Sequence, residues 1–259
     1  MGVSRAGNPA DSRVHPFASP FVKIRKSLRR LWCYIAIRWA SATNGTDRLL
    51  RRRFNRWAKQ GRGESMERSH ARIAETIWER MELSATDRIL DLGCGEGWAC
   101  RILAQRAPQG CLIMGVDISD GMIRLAREKS RAFSNVTYHR GQAEEIPTLS
   151  DYFTKIVSIE AFYYFQRQDE VLRELFRVMR AGGQLYLLLC LFEDDPKHPN
   201  WFADIGLPVH NRAIHEYKKT LERDGWIDVA CRVFDFRSNL SAQAGPHDRP
   251  LLITARKPF

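Results

Sequence analysis

Acidic residues are scarce at the start of this 259-residue chain. Residues 1–62 hold 15 of the 41 lysines and arginines, but two of the 30 acids, Asp11 and Asp47. That segment therefore has a net charge of +13, whereas the rest of the chain holds 26 basic and 28 acidic residues, a net charge of −2. A strongly positive segment is attracted to anionic membranes or nucleic acid. The nearly neutral remainder argues against a broad polyphosphate-binding face outside it.

Closely spaced cysteines are missing as well. The six cysteines are Cys33, Cys94, Cys100, Cys111, Cys190 and Cys231. None of them forms a C-x-x-C pair, and no zinc-ligand spacing occurs, so we expect no metal site. Several lie in apolar runs, where a reduced cysteine packs as a small hydrophobe. This pattern indicates a reducing compartment and predicts a cytoplasmic protein.

The basic segment also lacks an apolar run long enough to span a membrane. Between positions 21 and 40 the longest uncharged stretch is 31–37, far short of the roughly 20 residues that a span needs. Apolar residues recur there at helical spacing: Phe21, Ile24, Leu28, Leu31, Ile35 and Trp39. We predict a flexible tail over 1–20 and a basic amphipathic helical arm over 21–62.

The arm has more than one candidate partner. We expect residues 21–40 to contact an anionic membrane surface, which makes the protein peripheral on the membrane. Packing against the protein's own body and anchoring to RNA are the alternatives. An arginine-rich, acid-poor start also resembles an organelle transit peptide.

The remainder, 63–259, reads as one domain. Two further helices, over 49–59 and 65–81, are predicted to cover it, and from Arg88 short apolar strands alternate with amphipathic helices. Such alternation is typical of a mostly parallel sheet with crossover helices, and we expect one antiparallel strand near the C-terminus. The proline-rich stretch at 193–223 is predicted to be an insertion that caps a substrate site.

A glycine-rich loop follows the first of these strands. Residues 89–98 read Ile-Leu-Asp-Leu-Gly-Cys-Gly-Glu-Gly-Trp, so Gly93, Gly95 and Gly97 lie two residues apart. Glycines at a strand-to-helix turn let a ligand approach bare backbone. A dinucleotide fingerprint needs its third glycine where Trp98 stands, and no Gly-Lys-Ser/Thr of a P-loop follows. Asp117 closes the next strand, where a carboxylate accepts hydrogen bonds from both ribose hydroxyls.

Residues 87–190 resemble the type 11 class I methyltransferases, a group that includes the ubiquinone and menaquinone C-methyltransferases. The resemblance implies a Rossmann-like, doubly wound α/β fold and S-adenosyl-L-methionine as cofactor. It implies that Asp91 and the loop at Gly93, Cys94, Gly95 and Gly97 orient the methionine part of the cofactor. Asp117 would hold the ribose, and Ile118 and Met122 would flank the adenine.

Two later segments extend the resemblance. Residues 141–144 read Gly-Gln-Ala-Glu where the family usually has Gly-Asp-Ala-Glu, so Gln142, Ala143 and Glu144 are predicted to border the adenine. Gln142 replaces an aspartate that accepts a hydrogen bond from the adenine amine. Ser158 and Glu160, at the end of the fourth strand, match the segment beside the sulfonium.

The chemistry implied is transfer of a methyl group, in which the protein mainly positions the reactants and excludes water. A base is needed only where the acceptor keeps its proton near neutral pH. The candidates at the acceptor are Tyr163, Tyr164, His210 and His70. An aromatic-rich mouth and a basic arm predict a small apolar or amphiphilic acceptor. The alternatives are an RNA methyltransferase anchored by the arm and a non-catalytic cofactor-binding scaffold protein.

Overall fold

The computed structural model describes residues 45–195, 207–236 and 248–259. The predicted tail over 1–20, the proposed membrane contact over 21–40 and part of the insertion lie outside them. Six α-helices, one 3-10 turn (Phe162–Tyr164) and seven strands occur in the described ranges. The helices are α1 (Thr46–Lys59), α2 (Arg62–Trp78), α3 (Trp98–Arg106), α4 (Asp120–Lys129), α5 (Gln168–Val178) and α6 (Ile214–Arg223). The strands are β1 (Arg88–Leu92), β2 (Leu112–Asp117), β3 (Val136–Arg140), β4 (Phe153–Ile159), β5 (Met179–Leu189), β6 (Ile227–Val233) and β7 (Leu251–Arg256).

All seven strands form one sheet, in the order β3-β2-β1-β4-β5-β7-β6. The first five pair in parallel, and β7 pairs antiparallel with both β5 and β6. The predicted fold class is confirmed, including a single strand that runs against the others. The order reverses between β1 and β4, and in such sheets ligands bind outside the carboxyl ends of the strands at this switch point.

Apolar layers cover both faces of the sheet. One layer packs α5 and α6 against it, with Val171, Leu175 and Tyr217 fully buried. The other layer packs α2, α3 and α4, with Ile77 and Leu103 fully buried. Since strands covered on both faces carry nearly continuous apolar residues, the second half of β5, from Leu185 to Leu189, is recognisable from sequence alone.

The end of α5 differs from the sequence-based expectation. The sequence predicts a helix over 169–180 broken by Gly182 and Gly183, but α5 ends at Val178, and both glycines lie within β5. Lys257 Nζ donates to the carbonyl oxygens of Phe176 and Met179, at 2.9 and 2.8 Å. These hydrogen bonds satisfy carbonyl groups at the end of α5 that have no partner within the helix. A local sequence pattern does not show them, because Lys257 lies far along the chain.

Helix α1 packs on the domain and is not a detached arm. Its apolar face buries Leu50, Trp57 and Ala58 against Met122 of α4. Asn55 Oδ1 accepts hydrogen bonds from the Ser119 hydroxyl and the Gly121 amide, both at 2.8 Å. The described end of the predicted 21–62 arm is therefore part of the folded body.

Candidate active site

The glycine loop between β1 and α3 depends on left-handed backbone. Gly93, Gly95 and Gly97 have φ values of +79°, +54° and +79°. A Cβ on Gly93 would lie 2.4 Å from the Cβ of Ala161, so its absence lets the loop touch the segment after β4. A Cβ on Gly95 would meet nothing within 4 Å. The loop backbone is therefore uncovered where it faces the cavity described below.

Asp117 lies beside this loop at the carboxyl end of β2. Its carboxylate accepts hydrogen bonds from the Gly95 amide at 3.0 Å and the Ser119 amide at 2.8 Å. Burial raises the pKa of Asp117 to about 6, although the two amides act in the opposite direction. The side chain is thus fixed by backbone groups and is ionised at neutral pH.

Asp91 lies beneath the loop. Its carboxylate accepts a hydrogen bond from the Cys100 thiol at 3.2 Å and is 2% exposed. Burial raises the pKa of Asp91 to about 7, the thiol lowers it, and the nearby charge of Asp117 raises it further. Asp91 supports the loop from below and does not line the cavity.

A cavity of about 580 Å³ opens above the loop. This volume lies in the range of small-molecule sites. One wall comes from the sheet: Leu92, Gly93, Cys94, Gly95, Glu96, Asp117, Ile118, Met122, Ala143 and Glu144. The opposite wall comes from α1, α2 and the turn after β4: Leu50, Phe54, Trp57, Met66, His70, Glu160, Tyr163, Tyr164 and Phe165.

The aromatic residues of the second wall contact one another. Phe54 of α1 meets Tyr164 edge-on, with ring centroids 5.1 Å apart, and it meets Trp57 in the same way at 5.3 Å. The Arg62 guanidinium lies 5.3 Å from the ring centroid of Trp57. This wall combines an apolar surface with a cationic edge.

A histidine, a glutamate and a tyrosine meet in the same wall. His70 Nε2 of α2 lies 4.0 Å from Glu160 Oε2, and the Tyr163 hydroxyl donates to that oxygen at 3.2 Å. The other oxygen, Oε1, accepts the Cys190 amide. Glu160 has a φ of +56°, a conformation that costs a non-glycine residue about 1–3 kcal/mol and that clusters at functional sites.

Neither tyrosine of this wall is suited to act as a base. Burial raises the pKa of Tyr163 well above its usual range, and the charge of Glu160 raises it further. The same two causes raise the pKa of Tyr164. A neutral phenol donates hydrogen bonds and forms an apolar surface, so both side chains suit a binding role near neutral pH.

The comparisons with known proteins agree with this geometry. Residues 90–187 match the family model described as a methyltransferase domain. The chain is 32% identical over 117 residues to methyltransferase GfsG of Streptomyces halstedii, covering 44% of this chain and 41% of GfsG. It is 25% identical over 181 residues to a demethylmenaquinone methyltransferase of Listeria welshimeri, covering 66% of this chain and 74% of that protein.

Residues 90–187 carry a class I S-adenosylmethionine-dependent methyltransferase domain. The methyltransferase fold is shared with a solved complex between the Haloferax volcanii Trm112 methyltransferase activator and a methyltransferase. That match has a TM-score of 0.71 and 24% identity, and it covers 80% of this chain and 98% of the other. The predicted family and the predicted cofactor, S-adenosyl-L-methionine, are confirmed.

The methyltransferase cavity gathers most of the residues that the sequence nominates. Lining it are Gly93, Cys94, Gly95, Asp117, Ile118, Met122, Ala143, Glu144, Glu160, Tyr163, Tyr164 and His70. Asp91 and Gly97 lie just outside, beneath the loop and at the start of α3. The roles assigned to individual residues stay predictions.

Three nominated residues lie away from the cavity lining. The Ser158 hydroxyl is fully buried and donates to the Leu92 carbonyl at 2.9 Å, so it joins β4 to β1. The His210 amide donates to the Tyr163 carbonyl at 2.7 Å, and its ring Nδ1 lies 3.1 Å from the Gln166 carbonyl, behind the turn after β4. Gln142 Nε2 donates to Asp47 at 3.2 Å on a neighbouring open groove.

Sequence reasoning missed much of the helical cover. Of the cavity residues on α1 and α2, it named His70 but not Leu50, Met66 or Ser69 as part of the site. The amphipathic pattern of α1 identifies an apolar face and does not say what that face meets. The docking of α1 near the carboxyl end of β2 depends on tertiary contacts, which a local pattern does not contain.

The cavity fits S-adenosylmethionine. Asp117 presents an ionised carboxylate at a site suited to the two ribose hydroxyls, and Ile118, Met122 and Ala143 offer apolar surface for a purine. Gly95 leaves the space that the methionine part needs. When bound, this cofactor supplies an electrophilic methyl group. Among the described residues no cluster of histidine, cysteine and carboxylate side chains suited to a metal is found.

Proposed function

We propose that this protein transfers a methyl group from S-adenosylmethionine to a small apolar or amphiphilic acceptor taken from a membrane surface. The observation that carries the proposal is the two-walled cavity. The glycine loop with Asp117 and the aromatic residues of the second wall line one cavity of about 580 Å³, so the cavity has room for the nucleoside and for an apolar ring.

The curated relatives support this class of acceptor. The Listeria welshimeri relative is a demethylmenaquinone methyltransferase, and its name specifies a quinone-type acceptor. The matched segment spans about two fifths of GfsG, so the acceptor of that protein is a weaker guide. A quinol-like ring fits the aromatic wall formed by Phe54, Trp57 and Tyr164.

Contact with a membrane is proposed through α1. Its buried face lines the cavity, whereas Arg48, Arg52, Arg56 and Lys59 are exposed on its other face. Cationic side chains beside an anionic bilayer contribute about 1 kcal/mol each. Binding through this face would hold the cavity mouth near the lipid headgroups. No described helix has the length and hydrophobicity of a membrane span.

RNA is the less favoured partner. The arginines next to α1 are largely engaged: Arg140 with Asp120, Arg124 with Glu128, and Arg127 with the carbonyl of Tyr138. A nucleic-acid face needs a continuous row of available cations. The exposed cations of α1 form a patch about one helix long.

Calorimetry with S-adenosylmethionine and S-adenosylhomocysteine tests the cofactor assignment. We expect micromolar binding by the wild type, and then label transfer from methyl-labelled cofactor to hydroquinone and lipid acceptors. Absence of binding by folded protein would contradict the methyltransferase function and favour the scaffold alternative.

Vesicle pelleting tests the membrane proposal. Arg52→Glu/Arg56→Glu protein should lose binding to phosphatidylglycerol vesicles about tenfold or more, and neither protein should bind phosphatidylcholine vesicles. Arg173→Glu/Arg180→Glu, which changes two exposed cations elsewhere on the surface, is the matched control. Equal vesicle binding by all three proteins would overturn the α1 contact, and tight binding of a structured RNA by wild type alone would favour RNA.

A further inference from the structure

The His70–Glu160 pair is not needed to hold a nucleoside, and it lies on the acceptor side of the cavity. Both side chains line the cavity, and the His70 side chain, at 11% exposed, is more accessible than the Glu160 side chain, at 1%. Their nearest atoms are 4.0 Å apart, too far for a direct hydrogen bond but close enough for strong electrostatic coupling.

Glu160 cannot easily turn away from the histidine. One carboxylate oxygen accepts the amide of Cys190 in β5, and the other accepts the Tyr163 hydroxyl. Both oxygens are thus already hydrogen-bonded, which holds the carboxylate in place beside the imidazole. A fixed, buried negative charge beside an imidazole stabilises the imidazolium form.

We infer that His70 accepts the hydroxyl proton of the methyl acceptor and that Glu160 is the positioning residue that stabilises the resulting imidazolium. This rests on the proposed methyl transfer, and it narrows the acceptor to a molecule with a hydroxyl group on an aromatic ring. Such a hydroxyl keeps its proton at neutral pH, which is the condition under which a base is required.

The step balances as follows. The O–H bond of the acceptor breaks, and its proton passes to Nε2 of His70. The oxygen, or the ring carbon next to it, then takes the methyl group while the carbon–sulfur bond of the sulfonium breaks and its electron pair stays on sulfur. If carbon takes the methyl group, that carbon then loses its own hydrogen as a proton to solvent, and the imidazolium of His70 returns its proton to the ring oxygen, which restores the hydroxyl.

Two naphthols of the same ring size test the inference. At pH 7.5 1-naphthol is protonated, whereas 4-nitro-1-naphthol is already ionised because of its nitro group. We expect His70→Gln to slow transfer to 1-naphthol by about 10²–10³-fold and to change transfer to the nitro compound less than about threefold. His139→Gln, a half-buried histidine on β3 that does not line the cavity, is the matched control and should leave both rates unchanged.

The ionised fraction of the bound acceptor is measured as well, because it does not depend on turnover. In the complex with S-adenosylhomocysteine, the absorbance of 4-nitro-1-naphthol near its solution midpoint of ionisation reports its ionised fraction. Wild type should raise that fraction and His70→Gln should not. The Kd of S-adenosylhomocysteine, measured by calorimetry, should agree within about threefold between wild type and His70→Gln. That agreement would show that the variant is folded.

Glu160→Gln retains an oxygen acceptor but removes the charge. We expect slower transfer to 1-naphthol by about tenfold or more, with an unchanged ratio of affinities for S-adenosylmethionine and S-adenosylhomocysteine. A selective loss of affinity for the positively charged cofactor would assign the carboxylate to the sulfonium and overturn the inference.

The remaining outcomes are equally decisive. Equal loss on both naphthols would mean that His70 packs or positions, and no loss would exclude it as the base. If wild type binds the cofactor but methylates neither naphthol, the ring-hydroxyl acceptor is wrong while the cofactor assignment stands. Failure to bind the cofactor would contradict the proposed function itself.

Discussion

The two walls of the cavity are made from different parts of the polypeptide. The sheet-side wall is built around the glycine loop, with glycines at positive φ, and around Asp117, a carboxylate held by two amides. The helical wall consists of side chains that converge from α1, α2 and the turn after β4. Few residue types adopt the positive φ angles of the glycine loop, whereas many apolar and aromatic residues can form the second wall. We therefore expect the first wall to specify the cofactor and the second to specify the acceptor.

The largest expected effect comes from removing the carboxylate of the first wall. Asp117→Ala should weaken binding of S-adenosylhomocysteine by about 100-fold or more, because two hydrogen bonds to a charged group contribute about 1.5–3 kcal/mol each. Calorimetry measures this loss. Asp224→Ala, at the end of α6 and outside the cavity, is the control and should bind normally. Retained binding by Asp117→Ala would contradict the assignment of cofactor binding to the first wall.

A glycine pair separates the effect of positive φ from the effect of close packing. At Gly97 (φ +79°) a Cβ would lie 2.3 Å from the Tyr138 hydroxyl, whereas at Gly61 (φ +66°) it would meet nothing within 4 Å. Gly61→Ala should cost about 1–2 kcal/mol of unfolding free energy, from the backbone alone. Gly97→Ala should cost more by about 1–3 kcal/mol, the usual range for overpacking.

Chemical denaturation of both glycine variants measures the difference. Equal destabilisation would show that the contact with Tyr138 relaxes at no cost.

The pH dependence of cofactor binding tests the charge of the first wall. The pKa of Asp117 lies near 6, above its usual value, and only the ionised carboxylate accepts both ribose hydroxyls. Protons therefore compete with the cofactor below about pH 6, and affinity should be constant above pH 7 and about tenfold lower at pH 5. Asp117→Asn should bind weakly and lose most of this dependence. An unchanged profile in that variant would assign the titration to another group.

The smallest effect is expected where the two walls join. Asn55→Ala removes the acceptor for the Ser119 hydroxyl and the Gly121 amide, which should loosen α1 by about 1–2 kcal/mol. Proteolytic cleavage within α1 should then be about tenfold faster, while affinity for S-adenosylhomocysteine changes less than about threefold. Gln60→Ala, exposed at the end of α1, is the control. Loss of cofactor affinity in Asn55→Ala would make α1 part of the first wall.

The division between the walls also explains what the sequence predicts. The strand, the glycine loop and Asp117 lie within 30 residues, so their arrangement follows from local geometry. Helix α4 has the bounds 120–129 that its pattern predicts, and Ser119 caps it by accepting the Met122 amide at 3.1 Å. These features need no knowledge of distant contacts.

The second wall could not be predicted to the same extent. His70 and Glu160 are 90 positions apart, and only the packing of α2 over the carboxyl ends of the strands brings them together. His210 shows the converse, because a histidine in a plausible loop binds backbone behind the wall. Single-sequence patterns assign residues to faces, but the meeting of two faces depends on the tertiary structure.

Asn55 has a consequence for the timing of the reaction. It binds the hydroxyl of Ser119, and the amide of the same serine binds Asp117. Helix α1 and the Asp117 carboxylate are therefore joined by two hydrogen bonds through Ser119. A lipid surface that displaces α1, as the proposed membrane contact allows, would act on Asp117 through Ser119. We expect the spent cofactor to leave only slightly faster from the membrane-bound protein, in agreement with the small effect expected of Asn55→Ala.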